Sequence, residues 1–141
     1  GIDTLLTINV LEHVADDAKF LSDASRCLER GRLITLVPAI PGLYGSLDED
    51  ADHYRRYDPA ALKSLLAKDG LTLTHLSYFN SLGAISWFLS AKILRLRLNS
   101  EKTDQSIAFY DRFAIPISRW LDPFLISLGG QSLIAVVEKK K

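Results

Sequence analysis

The sequence predicts an α/β domain, one open sheet with helices packed against it. Three observations carry this expectation. Compact apolar or β-favouring runs at residues 2–8, 32–37, 71–79 and 132–137 are separated by stretches of helical periodicity. The first two runs flank one amphipathic helix with short turns, a βαβ unit whose strands are parallel neighbours joined by a right-handed crossover. The chain has 141 residues, 48% of them hydrophobic and 24% charged, enough for a single domain whose core buries roughly 70% of the unfolded surface.

Residues 2–8 are rich in apolar and β-branched side chains and too short for a globular helix, so they read as a strand buried on both faces. Asn9 closes the run. Asp16 and Asp17 then place two carboxylates at a helix start, where the positive end of the dipole favours them. Over residues 16–30, Ala18, Phe20, Leu21, Ala24, Cys27 and Leu28 recur at three- and four-residue intervals, with Lys19, Asp23, Arg26 and Glu29 between them. Gly31 stands where the C-terminal cap belongs. Residues 32–37 form the second strand, ended by Pro38.

Residues 39–58 hold Pro41, Gly42 and Gly45, then a charged, tyrosine-rich passage to Tyr57. About twenty residues without regular structure exceed the ordinary connection in a compact domain, and such loops commonly serve as functional lids. Asp58-Pro59 supplies an N-cap and a proline at the first helical position, opening a helix to Lys68 that Gly70 ends. A third strand follows at 71–79. Residues 82–98 are strongly apolar, with Trp87 and Phe88, and turn basic at Lys92, Arg95 and Arg97, which reads as a helix. Residues 99–104 form a polar break, 105–121 a second amphipathic helix interrupted at Pro116, and 123–130 an irregular return to the last strand. The excursion over 82–130 is thus a helical insertion or cap within a single domain spanning 1–141.

Composition removes several classes of function. Seventeen basic residues balance seventeen acidic ones, so no global field draws the chain to nucleic acid. The lone Cys27 cannot form an internal disulfide; it fits a reducing, cytoplasmic compartment and reads as a half-buried helix residue. No basic region precedes an apolar core at the start, and no apolar run is long enough to span a bilayer. The chain opens directly in a strand and has no methionine, the pattern of a fragment. Asp48, Asp50 and Asp52 imitate a calcium loop, but His53 stands where that loop needs glycine and Pro59 where it needs a bidentate glutamate. His13, His53 and His75 lack zinc-ligand spacing with Cys27, so no metal is expected. Neither a nucleophile elbow nor a G-x-G-x-x-G loop is present.

In an open α/β sheet, ligands bind outside the carboxyl ends of the strands, which puts residues 9–13 on the rim of a crevice. His13 falls on that rim, with a hydrogen-bonded structural role at the helix entry as the plain alternative. Arg55 and Arg56 are suited to a two-pronged grip on a carboxylate or phosphate, with Tyr44, Tyr54 and Tyr57 closing over it. Otherwise they pair with Asp48, Asp50 or Asp52. Trp87 and Phe88 either cap a substrate or pack in the core.

The run Asn9-Val10-Leu11-Glu12-His13-Val14-Ala15-Asp16-Asp17 resembles the segment after the fourth strand of class I S-adenosylmethionine-dependent methyltransferases, where N-V-L-E-H-I-x-D-D is common. Leu28-Glu29-Arg30-Gly31-Arg32-Leu33-Ile34 is similar to that family's L-x-P-G-G-x-L turn into the fifth strand, although Arg30 replaces the usual glycine or proline. Val37-Pro38-Ala39, the run Leu43-Tyr44-Gly45-Ser46-Leu47-Asp48 and His53-Tyr54-Arg55-Arg56-Tyr57 resemble a bacterial subgroup of these transferases.

The resemblance implies a partial Rossmann-like methyltransferase sheet, strands equivalent to 4-5-7-6, from the C-terminal, truncated part of the domain. It implies S-adenosyl-L-methionine as cofactor, with Asn9, Val10 and Leu11 against it, His13 pointing toward the methyl group or packed beneath it, and His13 and His53 as the candidate bases for the transfer. The acceptor is then a small or lipid-linked molecule. The family's glycine-rich cofactor turn and ribose-binding carboxylate would precede Gly1. Strand 2–8 becomes an exposed apolar edge open to a second copy of the chain or to a missing half. A non-catalytic reading competes: a module that meets a membrane surface or protein partner through residues 82–98, peripheral to the membrane.

Overall fold

The computed structural model describes residues 2–68, 70–98, 101, 105, 108, 109, 112, 113 and 115–139. Its frame is a four-stranded mixed sheet with flanking helices. Strand β1 (Ile2–Ile8) leads through a 3-10 turn, Leu11–His13, into helix α1 (Asp17–Cys27) and strand β2 (Leu28–Pro38). Helices α2 (Ser46–Asp50) and α3 (Pro59–Leu66) precede strand β3 (Leu71–Phe79). Helix α4 (Ser81–Trp87), a π-helical turn at Phe88–Ile93 and helix α5 (Ile115–Leu125) then lead to strand β4 (Ser132–Lys139).

The spatial order is β1-β2-β4-β3. The first two strands run parallel, as the βαβ pattern requires, with Leu5 opposite Leu33 and Thr7 opposite Thr35. Strand β4 enters antiparallel between β2 and β3. One sheet face carries Leu33, Val37, Leu133, Ala135 and Val137, all fully buried. Leu11, Leu21, Leu62 and Leu66 join them in one core cluster.

Strand β1 departs from the expected burial on both faces. It lies at the sheet edge, and only Thr7 is buried, while Leu6 and Ile8 are 58% and 57% exposed. The two exposed residues lie opposite Ile34 and Leu36, on the face away from that core.

Gly31 is not a helix cap. Helix α1 starts on Asp16, whose carboxylate accepts from the Lys19 amide at 2.9 Å, but stops at Cys27. The chain passes straight into β2 because the fully buried Leu28 already pairs with Ile2. Gly31 sits inside that strand at φ +142°, at a register shift, where a Cβ would come within 2.1 Å of the Asp3 carbonyl oxygen. Only glycine permits so close a backbone approach. Cys27, expected half-buried, is exposed.

The stretch 39–58 is more ordered than expected. It contains a 3-10 turn at Pro41–Leu43, helix α2 and a parallel bridge between Ala39 and Tyr57. Asp58 caps α3 as expected, accepting from the Ala61 amide at 2.8 Å, although the helix ends at Leu66.

The long helix expected over 82–98 is broken after Trp87, where hydrogen bonding widens into the π turn. Helix α5 begins at Ile115, so Pro116 lies in its first turn, where a missing N–H costs nothing. The proline inside the helix is Pro123, in the stretch expected to be irregular. Asp122 ties α5 to α4 by accepting from the Ser81 amide at 2.9 Å. The polar break at 99–104 and the first half of the second insertion helix lie largely outside the described residues. Among the described residues, no helix is long and apolar enough to cross a membrane.

Candidate functional site

The carboxyl end of β1 is where chemistry-bearing side chains converge. Asn9 leaves the ladder with its amide on the Leu36 carbonyl at 3.0 Å and turns at φ +50°, a left-handed conformation that asparagine tolerates. The 3-10 turn that follows has about three residues per turn, so successive side chains diverge. Leu11 enters the core, Glu12 is buried at 1% exposure, and His13 points to solvent.

The 53–57 segment is strapped across this turn. The Tyr54 amide donates to the Glu12 carbonyl at 2.7 Å. The Tyr57 hydroxyl shares its one proton between the Leu11 carbonyl oxygen, at 3.1 Å, and Asp17 Oδ2, at 2.9 Å. Arg55 donates to the same carboxylate oxygen and to the Ala15 carbonyl, both at 2.7 Å. These straps bring the His53 ring edge-on to His13, with centroids 4.7 Å apart. Ligating atoms of Glu12, His13 and His53 all fall within 4.8 Å of one another.

Asp48 anchors the arrangement from below. Fully buried, its carboxylate accepts from the Gly45 amide at 3.0 Å, His53 Nδ1 at 2.9 Å, Arg56 Nε at 2.8 Å and Trp87 Nε1 at 3.1 Å. An ionised carboxylate only accepts, so the proton of a neutral His53 sits on Nδ1, leaving Nε2 with a free lone pair. Arg56 also donates to the Ala39 carbonyl at 2.9 Å, and its guanidinium carbon lies 4.7 Å from the Trp87 ring centroid.

Burial shapes the electrostatics. It pulls the Arg56 guanidinium below its ordinary value, against the opposing pull of Asp48. It pushes the Glu12 carboxyl up, offset in part by its own backbone amide and by His53, His13 and Arg56. It also pushes the Tyr57 phenol up, reinforced by Asp17.

Of the residues singled out from sequence, His13 and His53 come together, and Asn9 and Val10 are exposed on the rim. The Leu11 side chain lies in the core and offers the rim only its backbone. Tyr54 is exposed, while the Tyr44 hydroxyl donates to the His53 carbonyl at 2.7 Å. Tyr44 also borders a cleft of about 350 Å³ lined by Ser46, Glu49, Lys92, Arg95 and Arg97. Arg55, Arg56 and Tyr57 turn inward to brace the loop. Arg56 takes Asp48, one of the partners weighed for it, but Arg55 takes Asp17, which was not.

Two residues of the site escaped the sequence reading. Glu12 lay inside the quoted N-V-L-E-H run without a role, and Asp48 looked like part of a solvated acidic run. Their burial depends on chain crossings that no local pattern encodes. Trp87 packs against this assembly and not in the sheet core. Against known proteins, the chain matches no family model and no curated sequence.

Proposed function

We propose that the chain is the C-terminal part of an S-adenosylmethionine-dependent methyltransferase domain of Rossmann-like class, acting on a small or lipid-linked acceptor. The observation that carries this is the strand order β1-β2-β4-β3 with the last strand in sequence, β4, antiparallel to both neighbours. It is the four-five-seven-six order that the sequence resemblance implies, with N-V-L-E-H at the carboxyl end of the first of these strands. In this reading Asn9 and Val10 line one side of the cofactor, which supplies an electrophilic methyl group when bound. The exposure of both residues fits that role, whereas Leu11 contributes only backbone. The glycine-rich half of the cradle is not among these 141 residues, so the chain holds one wall of the cofactor site.

The acceptor side is His13, His53 and the cleft beyond Tyr44. In the neutral ring, with Nδ1 on Asp48, His53 Nε2 is the nitrogen that would receive a proton from an acceptor hydroxyl or amine. Lys92 and Arg95 in the cleft suit a carboxylate or phosphate on that acceptor. The test is titration of the chain with S-adenosylhomocysteine at millimolar concentration, followed by amide chemical shifts. We expect perturbations at residues 9–11, abolished by Val10→Asp; an undisturbed rim would count against the reading.

A second reading has its own observation. Trp120 is 82% exposed, and Phe124, Leu128, Ile85, Leu89 and Ile93 are also exposed, on the same insertion as Lys92 and Arg95. Aromatic and basic side chains of this kind suit a peripheral, cytoplasmic-leaflet contact with anionic lipid. Co-sedimentation with phosphatidylserine vesicles, weakened by salt and by Trp120→Ser, is its expected signature.

A further inference from the structure

We propose that Glu12, His13 and His53 form a three-ligand site for a divalent transition-metal ion of the zinc type, with its remaining coordination position open to solvent. The proposal does not rest on methyl transfer, since the ion needs only these side chains.

The first argument is an orphaned group. Both carboxylate oxygens of Glu12 are buried and meet no hydrogen-bond donor on another residue, although the side chain is almost wholly withdrawn from water. A buried carboxylate without a partner is costly on general grounds and is ordinarily paired or bound to a metal. Among the described residues, the buried charged side chains are Glu12, Asp48 and Arg56. The guanidinium is committed to Asp48 at 2.8 Å, so the Glu12 carboxyl is left without a hydrogen-bonded cationic partner.

The second argument is the donor set. Nitrogen atoms of two imidazoles and an oxygen of that carboxylate converge within 4.8 Å without hydrogen-bonding one another. Two histidines and one carboxylate form a recurring set for zinc and for iron(II), and imidazole is a poor ligand for magnesium or calcium. The third argument is the outer shell. His53 gives its Nδ1 to the buried Asp48 at 2.9 Å, which orients the ring and presents Nε2 as the ligand, the carboxylate–histidine–metal arrangement. His13 is exposed, so solvent or a substrate oxygen has access to the fourth position.

A metal here would change what the two histidines do. They would cease to be free bases, and activation of a bound oxygen would pass to the ion, which lowers the pKa of coordinated water or hydroxyl.

The test uses the full chain carrying Cys27→Ser, which removes the exposed thiol, after treatment with a chelator. Calorimetric titration with Zn²⁺ should give one ion per chain with micromolar or tighter affinity, and Co²⁺ should produce visible d–d bands of a low-coordinate site. His13→Ala and His53→Ala should each weaken binding by at least about tenfold and shift the Co²⁺ spectrum. Glu12→Gln should do the same, while His75→Ala leaves both readouts unchanged. Binding only at millimolar Zn²⁺, or binding indifferent to His13→Ala, would overturn the proposal. His13 is exposed, so its variant keeps the test decisive even if the buried substitutions fail to fold.

Discussion

The buried carboxylate of Asp48 accepts from Nδ1 of His53 at 2.9 Å, linking a rim imidazole to the floor of the domain. The same carboxylate holds the buried Arg56. Removing it strands a guanidinium away from water. We expect Asp48→Ala to destabilise the chain by about 3–5 kcal/mol in urea unfolding, and Asp48→Asn, which keeps the acceptor oxygen, by less. A loss under about 1 kcal/mol, the range of an exposed pair, would show that Asp48 is not the anchor described.

Tyr57 should give the chain an alkaline limb of instability. Burial and the Asp17 carboxylate raise its phenol above the ordinary value of 10.0. Above that pH the unfolded chain has released a proton that the folded chain still holds. Stability therefore falls as pH rises past 10, by at most about 1.4 kcal/mol per pH unit from this group. Tyr57→Phe should lower stability at neutral pH by about 1 kcal/mol through the lost hydrogen bond and flatten the limb. Unfolding midpoints of both proteins between pH 8 and 11 provide the comparison.

Thr7 and Thr35 face each other across β1 and β2, and both hydroxyls are buried without a partner. An unsatisfied buried hydroxyl is a cost that an apolar side chain of the same shape removes. We expect Thr35→Val to be neutral or stabilising by up to about 1 kcal/mol in thermal or urea unfolding. A clear destabilisation would mean that the hydroxyl has a partner in solution.

The free edge of β1, with Ile2, Leu6 and Ile8 exposed, should make the chain associate with itself. Unpaired strand edges lined by apolar side chains template further pairing, and an edge lysine blunts them. We expect sedimentation to show a concentration-dependent increase in mass that Ile8→Lys suppresses. A monomer at every concentration would remove the second copy as an occupant of this edge.

Four strands, the βαβ unit and the Asp16 and Asp58 caps were legible in the sequence, because hydrophobic period and capping chemistry act over a few residues. Boundaries were less so. Gly31 looked like a helix cap because nothing local distinguishes a capping glycine from one that lets Asp3 approach in a neighbouring strand. The burial of β1 was overestimated for a similar reason: apolar composition reports what a strand tolerates, whereas its place at the edge is set by the order of all four.

The sequence by itself determined the α/β class, the parallel pairing of residues 2–8 with 32–37, and the placing of Asn9 and His13 on a strand rim. Tertiary structure alone decided that His53, forty residues further on, meets His13, and that Glu12 and Asp48 are buried beneath them. Contacts between positions so far apart arise from the straps through Tyr54, Tyr57 and Arg55, whose partners are backbone carbonyls and a distant carboxylate. Such partners have no periodicity to read, because any residue can offer a carbonyl and only the folded path determines which one is within reach.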